Sequence, residues 1–166
     1  GAVYLRLGTA QDVTAERETE RRAAHLSLLR DRSMDAMILI SPDSRIIYCN
    51  QAACDLYKRR REDVLGQSNR IFIPDGEMER MMAFRDEVIE TERPVEIETW
   101  RYRGDGIRIP VHLRVTPLID DAGKLTARAS VSYDISDRLA LEERERGARE
   151  RAKLLAAPVA HLSAPG

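Results

Sequence analysis

The sequence predicts an α+β layer fold, a five-stranded antiparallel sheet with helices on one face, flanked by N- and C-terminal helices. Three observations carry this. Ile107, Ile109, Val111, Leu113 and Val115 alternate with Arg108, Pro110, His112, Arg114 and Thr116, and a period of two puts one set on a core face and the other on an open face. After the turn chemistry of Asp120-Asp121-Ala122-Gly123, a second run gathers Leu125, Ala127, Ala129, Val131 and Tyr133 on one face. The middle of the chain then reads strand, strand, short helices, one longer helix and three strands, the order of a sheet covered on one side.

Taken in order, residues 1–14 alternate Val3, Leu5 and Leu7 with Tyr4 and Arg6, then reach Asp12-Val13-Thr14 and a charged run. That ending echoes Asp134-Ile135-Ser136, where a strand also gives way to a charged helix. Asp12 and Asp134 both stand where an acid can cap a helix N-terminus. Residues 1–14 are therefore expected to be the tail of a preceding copy of the same domain; an unrelated strand and helix is the alternative. Residues 15–32 are a linker helix. Its broken apolar stripe, which includes Leu26 and Leu29, needs a partner surface in its own domain or a second chain.

Residues 36–40 and 45–50 are short strands about the turn Pro42-Asp43-Ser44, a hairpin. Residues 51–57 are a short helix with Ala52, Ala53 and Leu56 inward. Lys58-Arg59-Arg60-Arg61 reads as a solvated turn, since a nucleic-acid surface wants aromatics among its cations. Residues 62–66 add one helical turn stopped by Gly66, and a loop runs through residues 71–76. Residues 77–91 form the longest internal helix. Met78, Met81, Met82, Phe84 and Val88 give it an apolar side that suits core filling or an apolar ligand. Arg93-Pro94 breaks it. Residues 95–103 are a strand, and Gly104-Asp105-Gly106 is the hairpin turn into the next.

Size and composition limit the function classes. The 166 residues suffice for one domain with extensions, and the chain begins at Gly1, as a piece of a longer protein would. A formal charge of -1 gives no whole-chain attraction to nucleic acid or an anionic membrane. No apolar run approaches the ~20 residues of a membrane span, and no secretory signal is present. Cys49 and Cys54, spaced C-x4-C with scattered histidines, do not make a zinc site. They read as small buried thiols of a reducing cytoplasm, so a cytoplasmic location is expected. No nucleophile elbow, phosphate loop or clustered His/Asp/Cys set appears, so the chain is not expected to be an enzyme. His112, with no acid partner legible, is no general base.

Over residues 33–138 the chain resembles the PAS domain family. The pieces that carry the resemblance are the hairpin of residues 38–53, Arg61-Glu62-Asp63-Val64-Leu65-Gly66-Gln67, Arg103-Gly104-Asp105-Gly106 with the alternating strand behind it, and Asp134-Ile135-Ser136-Asp137-Arg138. The resemblance implies the sheet order 2-1-5-4-3, helices that can enclose a ligand cavity, and a sensor and dimerisation module. In it, Asp134, Ile135 and Ser136 couple the sheet to an output helix at residues 139–157. Some members bind haem or flavin. The helix of residues 77–91 lacks the histidine of the haem-binding kind. Gly66-Gln67-Ser68-Asn69-Arg70-Ile71 has Ser or Asn where the photoactive flavin members carry a reactive cysteine, and Cys54 lies elsewhere. Haem and photoactive flavin are thus disfavoured, and any small-molecule ligand is unknown. Trp100 is read as packing rather than as a flavin stack.

Two classes of function remain, a ligand-sensing module and a purely structural relay. If a ligand is present, the expected pocket residues are Asn50, Arg70, Met82, Trp100 and His112. A homodimer is expected through the flanking helices. Leu141, Ala148 and Leu155 stand seven apart in a weak coiled-coil pattern beside Leu26 and Leu29 of the linker helix. Pro158 should end the output helix, and residues 158–166 lead to a downstream domain. Residues 156–162 look like the lead-in to a STAS domain of stressosome-type regulators, with Ala for Ser and Thr, and His161 for a proline. The alternatives are the sensor part of a histidine kinase or of a cyclase. His161 fits the kinase phosphoacceptor motif badly, since Leu162 rather than an acid follows it.

Overall fold

In the computed structural model, which describes residues 35–158, strand β1 (Ala36–Ile40) buries Ala36, Ile38 and Ile40 and turns Met37 and Leu39 the other way. β2 (Ile46–Cys49) follows across the turn. Then come α1 (Gln51–Tyr57), α2 (Arg61–Val64), a 3-10 helix (Asn69–Phe72) and α3 (Met78–Thr91). β3 (Val95–Tyr102), β4 (Arg108–Ile119) and β5 (Leu125–Asp134) complete one antiparallel sheet in the order β2-β1-β5-β4-β3, as the resemblance implies. α4 (Ser136–Ala156) leaves its end. Residues 1–34 and 159–166, with the expected preceding-domain tail, the linker helix, Leu26, Leu29 and His161, lie outside the described residues.

Cross-strand partners share a face of a sheet, so the register decides what points inward. Leu113 pairs with Ser132, Val115 with Ser130 and Pro117 with Arg128; Thr99 pairs with Val111 and Arg101 with Ile109. The inner face of β4 is apolar: Ile109, Val111, Leu113 and Val115 are buried against the helices. The inner face of β5 is polar and buried, made of Arg128, Ser130 and Ser132. The alternating set Ala129, Val131 and Tyr133 lies on the outer face, beside Leu39 and Met37 of β1. The spacing found the alternation of β5; register reveals that its apolar side looks away from the helices.

The core lies between sheet and helices. Ile46, Val64, Val88 and Val111 are fully buried within it, each contributing about 1.5–3 kcal/mol of burial free energy. Met81, Phe84 and Val88 are the buried side of α3. The 3-10 helix stands where the sequence reads as loop. Ser68 Oγ accepts from Arg70 N at 3.3 Å to start it. The β3–β4 hairpin is pinned to α1 by glycine. Gly104 N donates to Tyr57 O at 2.7 Å, and a Cβ there would stand 2.2 Å from Lys58 O, so any side chain forces the hairpin off the helix. Gly106, at φ +81, takes the left-handed turn conformation.

The strand-to-helix junction is tightly tied. Ile135 is buried and its N donates to Pro110 O at 3.1 Å. Asp134 is not the N-cap itself. Ile135 occupies that position, and Asp134 Oδ1 accepts from Ser136 N at 2.8 Å, folding the chain into the first turn. Arg138 joins Glu98 of β3 at 2.6 Å and Glu142 at 2.7 Å. No residue of α4 is buried. Ala157 is extended ahead of Pro158, and the helix ends at Ala156.

Candidate functional site

A cavity of about 510 Å³ opens between the inner sheet face, the 3-10 helix and α3, within the ~300–1,000 Å³ usual for small-molecule sites. Its walls are part apolar and part polar. β1 gives Ile38 and Ile40, β4 gives Leu113 and Val115, and Tyr57, Phe72 and Phe84 bring aromatic faces from α1, the 3-10 helix and α3. Tyr57 and Phe72 lie with ring centroids 4.5 Å apart. Burial pushes the Tyr57 phenol above its usual range, against the opposing pull of Arg101, and its Oη donates to Ser132 Oγ at 2.7 Å.

Polar groups break these walls. Arg101, 7% exposed, points in from β3. Its Nη1 donates to Trp100 O at 3.0 Å and meets Met81 Sδ at 3.2 Å. Burial pulls its pKa below the usual arginine value, partly opposed by Tyr57 and Glu77; the guanidinium nonetheless stays charged. Arg128, 3% exposed, points in from β5. Its Nη2 donates to Ser44 Oγ at 3.0 Å, and its buried Nε has no partner. Burial lowers its pKa also, with Arg85 adding to the effect and Asp86 opposing it. Nearby carboxylates are engaged elsewhere: Asp43 with Arg45 at 3.3 Å, Asp86 with Arg85 at 2.7 Å. Ser44, Ser68, Asn69 and Ser130 add neutral polar groups, and Arg45, Arg70 and Arg85 add further cations.

Of the residues expected to form a pocket, the cavity gathers Arg70 and Met82 but not Asn50, Trp100 or His112. Arg70 and Met82 line the cavity at its exposed rim. Asn50 is fully buried and serves the backbone. Its Oδ1 accepts from Ala53 N and from Met37 N, both at 2.9 Å, and its Nδ2 donates to Asp35 O at 2.8 Å. Trp100 and His112 are corrected to the opposite face, because Thr99 and Arg101 take the inward parity of β3 and Val111 and Leu113 that of β4. There Trp100 lies under Arg108, 5.0 Å from the ring, and His112 does meet an acid, Glu96, at 3.2 Å. Sequence reasoning missed Arg101 and Arg128 because arginine in a strand reads as solvent-facing. The signal was in the pairing register, which aligns them with the apolar set of β4.

The remaining expected residues are placed separately. Asp134, Ile135 and Ser136 make the junction described above. Leu141, Ala148 and Leu155 are exposed along α4. Cys49 and Cys54 sit within 3.5 Å of each other, buried behind α1, and neither lines the cavity. In the basic cluster, Arg60 pairs with Asp63 at 2.8 Å and Arg59 lies 5.7 Å over the Phe72 ring.

An antiparallel sheet that roofs a small-molecule cavity and runs straight into an exposed helix defines a sensor module. The chain belongs to the PAS domain family, whose profile matches residues 34–137, and it is a PAS sensor domain of signal transduction. It is 31% identical over 121 residues to blue-light-activated histidine kinase 1 of Erythrobacter litoralis (strain HTCC2594), a match covering 72% of this chain and 32% of that one. The chain thus spans about a third of the length of that relative. A PAS domain from Colwellia psychrerythraea superposes with a TM-score of 0.65 at 17% identity, over 69% of this chain and 98% of the other. A light-oxygen-voltage domain studied with a flavin analogue superposes with a TM-score of 0.60 at 19% identity, over 76% and 96%. No described helix is long and apolar enough to cross a membrane.

These relatives overturn the expectation that flavin is disfavoured. One is named for activation by blue light and another for its work with a flavin analogue. The physical reason is that the missing thiol bears on light-driven bond formation alone. Holding a flat ring requires cavity volume, apolar walls and hydrogen-bond donors, and the absence of cysteine at Ser68 or Asn69 removes none of them.

Proposed function

We propose that this chain is the ligand-sensing and dimerising module of a larger signalling protein, with α4 carrying the state of the cavity to an output domain outside the chain. The observation that carries the reading is the cavity itself. Its sheet wall includes Ser130 and Arg128 of β5, and β5 runs directly into the Asp134-Ile135-Ser136 junction. A ligand that shifts β5 would move the root of α4, the kind of small displacement that a marginal helix seam amplifies. The chain itself is read as non-catalytic, with its chemistry in the output domain. The kinase relative weighs toward a kinase output and against the STAS-like reading of residues 156–162. Homodimerisation without nucleic-acid or membrane contact, in the cytoplasm, completes the reading.

Flavin is the first ligand to try, since the relatives are named for blue light and for a flavin analogue. The lining suits one: Tyr57, Phe72 and Phe84 provide aromatic walls, and Asn69, Ser130, Arg101 and Arg128 provide donors for ring carbonyls or a phosphate. When bound, a flavin supplies visible-light absorption and redox chemistry. Native mass spectrometry and an absorption spectrum of the freshly purified full chain test the proposal. Expected is one small molecule per chain, coloured if it is flavin. A bare-chain mass and no ligand-dependent rise in melting temperature would leave only a structural relay.

A further inference from the structure

We propose that the cavity is an oxyanion site, in which Arg128 binds the carboxylate or phosphate of the ligand and Arg101 adds a second fixed positive charge to the same chamber. The inference rests on the ligand-sensing reading and specifies the chemistry of what is sensed.

The first argument is charge. Two guanidiniums sit almost wholly buried on the inner sheet face, and among the described residues no carboxylate comes within ion-pair distance of either. A buried charge normally has such a partner. Arg101 is partly served by a carbonyl and a sulfur. Arg128 is served by one hydroxyl, and its Nε hydrogen faces no acceptor at all. A guanidinium offers five donors in a fork that matches a carboxylate or phosphate. Arg128 lines the cavity, and Ser44 engages only one of its nitrogens there, so a fixed charged donor group borders a site large enough for a ligand.

The second argument is context. Asp86, whose charge acts on Arg128, is already held by Arg85 at 2.7 Å. Asp43 is held by Arg45 and by Ser41 Oγ, the latter at 2.5 Å. Neither is free to neutralise Arg128. Ser44 Oγ, which accepts from Arg128 Nη2, keeps its own hydroxyl proton to donate, as does Ser130 on the same strand. Arg101 approaches from the far side of β4: its partner there is Ile109, whereas that of Arg128 is Pro117. The positive potential thus extends along the chamber from Arg101 to Arg128.

One chemistry has two sources here, the phosphate of a flavin nucleotide or the carboxylate of a small metabolic acid. Matched pairs separate them. Calorimetry on the full chain compares flavin mononucleotide with riboflavin, which lacks the phosphate, and adipate with hexanoate, which has one carboxylate fewer. The acid-richer member of at least one pair should bind about tenfold more tightly or better, and that preference should vanish in Arg128→Gln and persist in Arg128→Lys. Equal affinities within both pairs, or a preference that survives Arg128→Gln, would overturn the proposal. Should Arg128→Gln fail to fold, the wild-type preference and its retention in Arg128→Lys decide. If a neutral molecule copurifies and binds wild type and Arg128→Gln alike, only the oxyanion assignment falls. If nothing copurifies and none of the four probes binds, the sensing reading falls with it.

Discussion

Asn50 ties two backbone segments together through one side chain: the entry to β1, at Asp35 and Met37, and the first turn of α1, at Ala53. No other side-chain type offers acceptor and donor at those positions at once. Asn50→Ala should lower the unfolding free energy by about 2–3 kcal/mol, from a lost N-cap and a buried Met37 N–H left without its acceptor. Urea denaturation measures this, and Asn50→Asp should cost less, because both acceptor bonds survive. Cys49 has a different constraint. Burial, then the hydrogen bond with Cys54, pushes its thiol from 9.0 up to about 12. The folded value lies above the unfolded one, so this contribution is intact below about pH 9 and is lost as pH rises through about 12. Folded chain should resist iodoacetamide at pH 8, whereas unfolded chain labels, and Cys49→Ser should flatten the loss of stability above pH 9. In the sequence Asn50 reads as the end of a strand and as a candidate pocket residue. Its service to Met37 and Asp35 depends on β1 lying beside it, which spacing does not encode.

At the scale of elements, α4 is the one without a home. It extends from the sheet with Leu141, Leu154 and Leu155 uncovered, Leu155 at 87% exposure. Ile135, Arg138 and the turn from Asp134 to Ser136 anchor its root. A helix with so little of its own domain to pack on calls for a second helix, and the heptad pattern supplies a thin seam for one. Light scattering should give a dimer for the full chain, and Leu141→Glu with Leu155→Glu should give a monomer whose far-ultraviolet dichroism still reports the sheet. A monomeric wild-type chain would dispose of the idea. Helix α4 and its stop at Pro158 could be read from sequence, since proline and period are local. The direction in which β5 faces could not. Alternation gives two faces without saying which is inner, and in β5 the polar one is inner.

Across the molecule, element succession was legible because hairpin turns, Gly104 and the Asp134-Ile135-Ser136 junction are local chemistry; the strand order came only through the family resemblance. The cavity was not, because its lining comes from elements far apart in the chain, and its informative members are arginines in strands. The flavin expectation went astray for a related reason: it judged a binding volume by one reactive atom. The sheet order has a further consequence for how the chain is made. β1 is an interior strand, yet one of its two neighbours, the central β5, is the last of the described strands to be synthesised; Ile40 must wait for Arg128, and Ala36 for Ser132. Until β5 leaves the ribosome, the early hairpin carries an open, apolar edge with nothing of its own to close it. Contacts this distant in sequence slow folding, and the interval is when such a chain is most exposed to pairing with another copy of itself. The strand that bears Arg128 is therefore also the one that seals the fold.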